Sequence, residues 1–177
     1  MPRLTSEWTR DIDEVRRIAT ESGCSTTVLY KYFGGKEAFA DALFREGFAR
    51  LQRRLDALPR GGDPVEFLAA VGRAYRENAL AEGHFYALMH GPGIPGYVPD
   101  KTARAAAQAS LDVLRDAARE CVAAGVFRAD VDMDEVADTV WAAVHGVIGL
   151  ERAGHFADGV AERRFRVLTG AAVAAFR

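Results

Sequence analysis

Residues Asp13 to Phe39 read DEVRRIATESGCSTTVLYKYFGGKEAF, and the spacing of the apolar residues in this stretch decides the fold. Val15, Ile18 and Ala19 recur at helical spacing and stop at Gly23, whose missing side chain permits the left-handed turn that ends a helix. Ser25 is then placed to cap the next helix. In that helix Val28 or Leu29 and Phe33 are expected to point inward, while Thr26, Thr27, Tyr30 and Lys31 lie largely on other faces. Two short helices joined by a tight glycine turn are a helix-turn-helix, in which the first residues of the second helix enter the major groove of DNA.

Outward from this stretch the chain reads as helix throughout. Phe44, Phe48, Leu51, Leu55 and Leu58 form one stripe, which predicts a helix from near Lys36 to the sequence LPRGGDP, where Pro59, Gly61, Gly62 and Pro64 cannot all continue it. A domain seam is expected here, dividing the chain into residues 1–54 and 55–177. Asp63, Pro64 and Glu66 form a cap, a first-turn proline and a capping-box acid before FLAAVGRAYRENAL. His90 to Asp100, HGPGIPGYVPD, is a Gly/Pro-rich loop. Beyond it, Ala107, Leu111, Leu114, Ala118, Cys121 and Val122 mark an amphipathic helix closed by Gly125. Asp132 and Glu135 start another, and a last helix is expected from near Asp158. The fold class is therefore all-α: an N-terminal helix-turn-helix followed by a larger helical domain.

Composition narrows the function classes. Of the 177 residues, 49% are hydrophobic, which is ample for a buried core. No apolar run approaches the ~20 residues of a membrane span, and the N-terminus lacks the apolar segment of a secretion signal, so a cytoplasmic chain with no membrane partner is expected. Cys24 and Cys121 are too far apart in sequence to suggest a disulfide framework or a cysteine-ligated zinc. His84, His90, His145 and His155 lack metal-ligand spacing, and no cofactor motif is present. Net charge is −2, yet residues 1–54 hold ten Lys/Arg against eight Asp/Glu, while the remainder holds thirteen against seventeen. The first part thus tolerates phosphate better than the second.

RRIATESGCSTTVLYKYFGGKEAF resembles the helix-turn-helix of the TetR family of bacterial transcriptional regulators. The match falls on Ile18-Ala19, Gly23, Ser25, Leu29-Tyr30, Tyr32-Phe33 and Lys36-Glu37. Cys24 stands where the family commonly has Val. Gly35 replaces a polar cap, a change expected to weaken the next helix start by a few tenths of a kcal/mol. The resemblance implies that Thr26 and Thr27 meet base edges, while Tyr30, Tyr32 and Lys36 bond phosphates and fix register, with Lys31 also among the DNA-binding residues. The plainer reading makes both tyrosines packing aromatics and Lys36 a solvated cap. The family places a long helix before this pair; only residues 1–12 stand there, so a first helix truncated to a stub carrying Trp8 and Ile12 is expected.

VWAAVHGVIGLERAGHF, Val140 to Phe156, resembles a C-terminal ligand-binding subfamily of the same regulators that carries a Trp, His-Gly signature, here Trp141 and His145-Gly146. Trp141 and His145 are four apart and share a helix face. With Tyr86, Met89 and Tyr97, which flank the Gly/Pro loop, they are the candidate ligand-binding residues; the plainer reading makes each of them core. The helix around Val136 to Leu150 is apolar nearly all round and must be covered on two sides. One cover is its own domain, and the other is a partner subunit, with FRVLTGAAVAAF supplying small residues for close approach. The expected function is a ligand-responsive repressor: a homodimer through its last two helices that binds double-stranded operator DNA and is released by a small, largely apolar effector. The alternative is a ligand-binding dimer of the same descent that no longer binds DNA. No Ser/His/Asp set, phosphate loop or metal cluster points to an enzyme.

Overall fold

The structure, a computed structural model, describes residues 19–20, 23, 25–90 and 97–177. The expected first-helix stub with Trp8 and Ile12, the positions of Val15, Ile18 and Cys24, the side chain of Leu29, and residues 91–96 of the Gly/Pro-rich stretch lie outside this description. Among the described residues the secondary structure is entirely helical: α1 (Thr26–Phe33), α2 (Lys36–Asp56), α3 (Pro64–Ala81), α4 (Gly83–His90), α5 (Lys101–Ala123), α6 (Met133–Arg152) and α7 (Ala161–Ala174). No helix among them is long and apolar enough to cross a membrane.

Side-chain caps start three of the helices at the expected residues. Ser25 accepts the Val28 N–H at 3.3 Å, Asp63 accepts the Val65 N–H at 2.8 Å, and Asp132 accepts the Asp134 N–H at 2.8 Å. Each satisfies a donor that the first turn of a helix leaves unpaired. Glu66 departs from its capping-box role and pairs with Arg73, two turns along α3, at 2.5 Å. The start of α5 was not read from the sequence. Asp100 caps it, accepting the Ala103 N–H at 2.7 Å.

Packing divides the chain into two compact units. One comprises residues 1–49 with 82–107, and the other residues 50–81 with 108–177. The linear order gave no sign that residues 82–107 join the N-terminal part. In the first unit Phe39 and Ala40, each 2% exposed, form a small core with Tyr30, Leu43, Leu88 and Tyr97 packed around it. Phe44 and Phe48 continue this stripe along α2. Gly47 lets α4 approach closely, since a Cβ there would lie 2.7 Å from Met89 Sδ. In the second unit α6 packs on α7 and α3 around Val136, Val140, Val144, Val147, Ile148 and Phe165. Cys121 is buried here as a free thiol, and burial raises its pKa, so it acts as a small apolar side chain.

Phe33 corrects the sequence reading of α1, while of the pair Val28 or Leu29 only the Val28 side chain is described. Val28 is 55% exposed and Phe33 37%, whereas an inward position was expected for Phe33 and for Val28 or Leu29. At 100° per residue Val28 falls opposite Thr26, Tyr30 and Phe33, and it is Tyr30 that meets the core, edge-on to Phe39 at 5.8 Å between ring centres. Phe33 reaches Phe39 at 5.1 Å from the end of a two-turn helix, where one side of its ring remains in solvent.

Candidate functional site

The first candidate surface is α1. Ser25 fixes its start, and at its end both Gly34 and Gly35 direct their N–H groups to the Tyr30 carbonyl. Gly34 has φ 85° and Gly35 φ 138°, conformations that side chains rarely adopt. Gly35 is therefore favoured by the backbone path, and it offers α2 no side-chain cap. Thr27, Lys31 and Tyr32 are exposed, Tyr32 at 83%, and so is Lys36 at the start of α2. Thr26 and Tyr30 are half-buried on the opposite side. The helix thus presents a hydroxyl, a cation and a phenol to solvent while its other face is seated on Phe39.

The second candidate is a polar cluster inside the second unit. Trp141 Nε1–H donates to Tyr75 Oη at 3.3 Å, and Tyr75 Oη lies 3.5 Å from His145 Nδ1. The indole can only donate, so Tyr75 Oη accepts from Trp141, and the hydroxyl also lies within reach of the His145 ring nitrogen. The Trp141 and His145 rings are 5.5 Å apart, on one face of α6 as their spacing predicted. A cavity of about 30 Å³ adjoins Tyr75 and Trp141, walled by Leu55, Leu111, Leu114 and Val144. A groove of about 430 Å³ shares Gly72, Val140 and Val144 with this cavity and is lined further by Phe165, Thr169, Val173, Arg73, Arg166 and Arg177. Asn78, one turn beyond Tyr75, is 2% exposed, and its Oδ1 has no hydrogen-bond partner among the described residues. A buried acceptor left unpaired is costly.

Burial lowers the pKa of His145 below the ordinary imidazole value, so the ring is neutral at neutral pH. In the unfolded chain the same ring titrates near pH ~6.5, so unfolding below that pH takes up a proton. Its contribution is complete above the unfolded pKa, fades as pH falls through it, and levels off below the depressed folded value. The melting temperature of the native chain is therefore expected to fall more steeply between about pH 7.5 and 5.5 than that of His145→Gln, as calorimetry at several pH values would show.

The remaining candidates belong to the first unit. Tyr86 and Met89 are buried on α4, the Tyr86 ring 5.0 Å from His90 and the Met89 thioether against Gly47. Tyr97 is half-buried, with its ring 6.0 Å from Phe44, and its hydroxyl donates to Asp41 Oδ1 at 2.9 Å. The structure thus brings Trp141 and His145 together and places Tyr86, Met89 and Tyr97 in the other unit. Sequence reasoning missed Tyr75, although it stands four residues after Val71 on an apolar face, where a hydroxyl needs a partner. No group of three or more potential metal ligands occurs among the described residues.

Comparison with known proteins adds the following. The family model described as "Tetracyclin repressor-like, C-terminal domain" matches residues 68–172. No curated protein matches the sequence. Among solved structures, a protein of unknown function from a Rhodococcus species is 26% identical, with 92% of this chain and 84% of that chain covered and a TM-score of 0.70. The TetR family transcriptional regulator PfmR from Thermus thermophilus is 24% identical, covering 90% and 87%, with a TM-score of 0.68. The fatty acid degradation regulator FadR from Bacillus halodurans is 15% identical, covering 95% and 97%, with a TM-score of 0.66. The last two are similar in fold.

Proposed function

This chain belongs to the tetracyclin repressor-like family of transcriptional regulators, and from that premise we propose that it is a repressor that binds operator DNA as a homodimer and leaves it when a small, largely apolar effector binds. Residues 1–54 carry the DNA-reading part, and residues 55–177 carry effector binding and dimerisation. The observation that carries the reading is the outer face of α1, where Thr27, Lys31 and Tyr32 stand exposed on a helix capped by Ser25. Thr26 and Thr27, in its first turn, meet base edges, while Tyr30, Lys31, Tyr32 and Lys36 hold phosphates. Two such helices, one from each subunit, read half-sites ~34 Å apart.

The effector site centres on Tyr75, Trp141 and His145, with Asn78 as a buried acceptor. Its cavity is far below the ~300 Å³ of an ordinary ligand pocket, so the effector binds by parting the walls. Tyr86, Met89 and Tyr97 take part by repacking the first unit in response. Dimerisation uses the outer faces of α6 and α7, where Leu150, Val167 and Leu168 are 45%, 57% and 45% exposed. The effector need only favour the released state by the usual coupling of ~1–3 kcal/mol.

The test is binding to DNA fragments from the promoter of the chain's own gene over a salt series. The affinity is expected to fall steeply with salt. Lys31→Ala and Lys36→Ala should each reduce the slope of log K against log salt by about one, whereas Thr27→Ala should narrow the gap between operator and unrelated duplex. Exposure of Val28 and Phe33 favours one other reading, a ligand-binding dimer that no longer reads DNA. Salt-insensitive or absent DNA binding would decide for it.

A further inference from the structure

Four side chains of the first unit form a cluster of which the proposed function uses only Tyr97. Arg45 Nε donates to Asp41 Oδ2 at 2.5 Å, and Arg45 Nη2 donates to Asp100 Oδ1 at 3.0 Å. Tyr97 donates to the other oxygen of Asp41 at 2.9 Å. Asp100 in turn caps α5 through the Ala103 N–H. One guanidinium therefore bridges a carboxylate on α2 to the carboxylate that starts α5, and one phenol locks the bridge from the side. Asp41 and Arg45 follow Phe39, the residue on which Tyr30 and Phe33 of α1 rest. The cluster sits at the base of the reading helix.

We propose that Tyr97, Asp41, Arg45 and Asp100 are positioning residues for DNA binding: a clasp that ties the start of α5 to the first turns of α2 and so sets the attitude of α1. The proposal rests on the reading of α1 as the DNA-binding helix. Its regulatory sense comes from the other ends of the same two helices, since Leu55 of α2 and Ser110, Leu111 and Leu114 of α5 wall the cavity beside Trp141. The two rods that an effector would part are the two that the clasp joins. Asp100 is largely exposed, so its pair with Arg45 contributes little alone, and the half-buried Tyr97–Asp41 bond carries more of the lock.

Tyr97→Phe removes the hydroxyl and keeps the ring against Phe44, which makes it the main test. The full chain first selects a duplex from a random pool, and that duplex is the probe, with an unrelated duplex as control. Tyr97→Phe is expected to weaken probe binding ~10-fold while control binding and the salt slope stay unchanged, because no phosphate contact is lost. Asp100→Asn, which still accepts the Ala103 N–H but cannot pair as an anion with Arg45, is expected to lose ~3-fold. Arg45→Lys, which keeps the charge but not the fork that spans two carboxylates, should match Tyr97→Phe. Probe binding within twofold of the native chain in both Tyr97→Phe and Arg45→Lys would overturn the proposal. So would equal loss on probe and control, which marks a general folding defect, and a thermal melt identifies that case. If the native chain selects no duplex, the reading of α1 fails instead. The clasp is then judged by amide hydrogen exchange over residues 39–45, and unchanged exchange in Tyr97→Phe ends it as well.

Discussion

If the chain is the proposed homodimer, Gly146→Arg is expected to leave a monomer and to weaken binding to a two-half-site operator by about 100-fold, the avidity lost when two reading helices are no longer linked. Gly146 is exposed on α6, and a Cβ built there meets nothing within 4 Å of its own protomer. Within the single chain the exchange should even favour the helix, since Gly is a poor helix former. Any harm must therefore come from a second copy. Thr139, Ala142 and Gly149 share the exposed side of α6 with Gly146, and Leu150 with Val167 and Leu168 of α7 borders it with apolar surface. Such a face lets two helices approach closely, and a guanidinium placed in it would be buried without a partner. Sedimentation or light scattering gives the mass and anisotropy the DNA affinity. A Gly146→Arg chain that remains dimeric with native affinity removes α6 from the interface.

Glu151→Ala is expected to destabilise the fold by about 2–3 kcal/mol and to lower the melting temperature by roughly 5–10 °C. Arg76 on α3 reaches Glu151 at the end of α6 through two parallel bonds, Nε to Oε2 at 2.8 Å and Nη2 to Oε1 at 2.5 Å. Both side chains are mostly buried, 18% and 15% exposed, and the guanidinium carbon lies 5.7 Å from the centre of the Phe165 ring. Removing the carboxylate leaves a cation in a place that water reaches poorly, and that penalty, more than the lost attraction, sets the size of the effect. The double variant Arg76→Met with Glu151→Leu is accordingly expected to recover most of the loss. A Glu151→Ala chain that melts within 2 °C of the native one (about 1 kcal/mol or less) would show that solvent screens the pair.

Much of the fold was legible because helix starts are local events. Ser25, Asp63 and Asp132 cap where their positions before apolar runs said they would, and Gly125 stops α5 with a positive φ of 71°. What could not be read were contacts between residues far apart in sequence. The Tyr75–Trp141 bond spans 66 positions and the Arg76–Glu151 pair 75, and no periodicity announces either. Asp41 and Arg45 stand four apart on α2, and nothing in the linear order joins them to Tyr97 and Asp100, which the fold brings to them. Phe33, expected inward, stands 37% exposed for a different reason. In an eight-residue helix one apolar residue more or less shifts the inferred face by most of a turn, and only the core under Tyr30 shows which side is in.

Gly34 and Gly35, the whole connection between α1 and α2, have a mechanical consequence. Two residues, each with its N–H bonded back to the Tyr30 carbonyl, make the joint short and tie it to the end of α1. A tilt of the first turn of α2 reaches α1 through this short elbow, with only those two bonds to carry it. Lengthening that elbow by even one flexible residue should leave the chain folded while disconnecting its grip on DNA from whatever it senses.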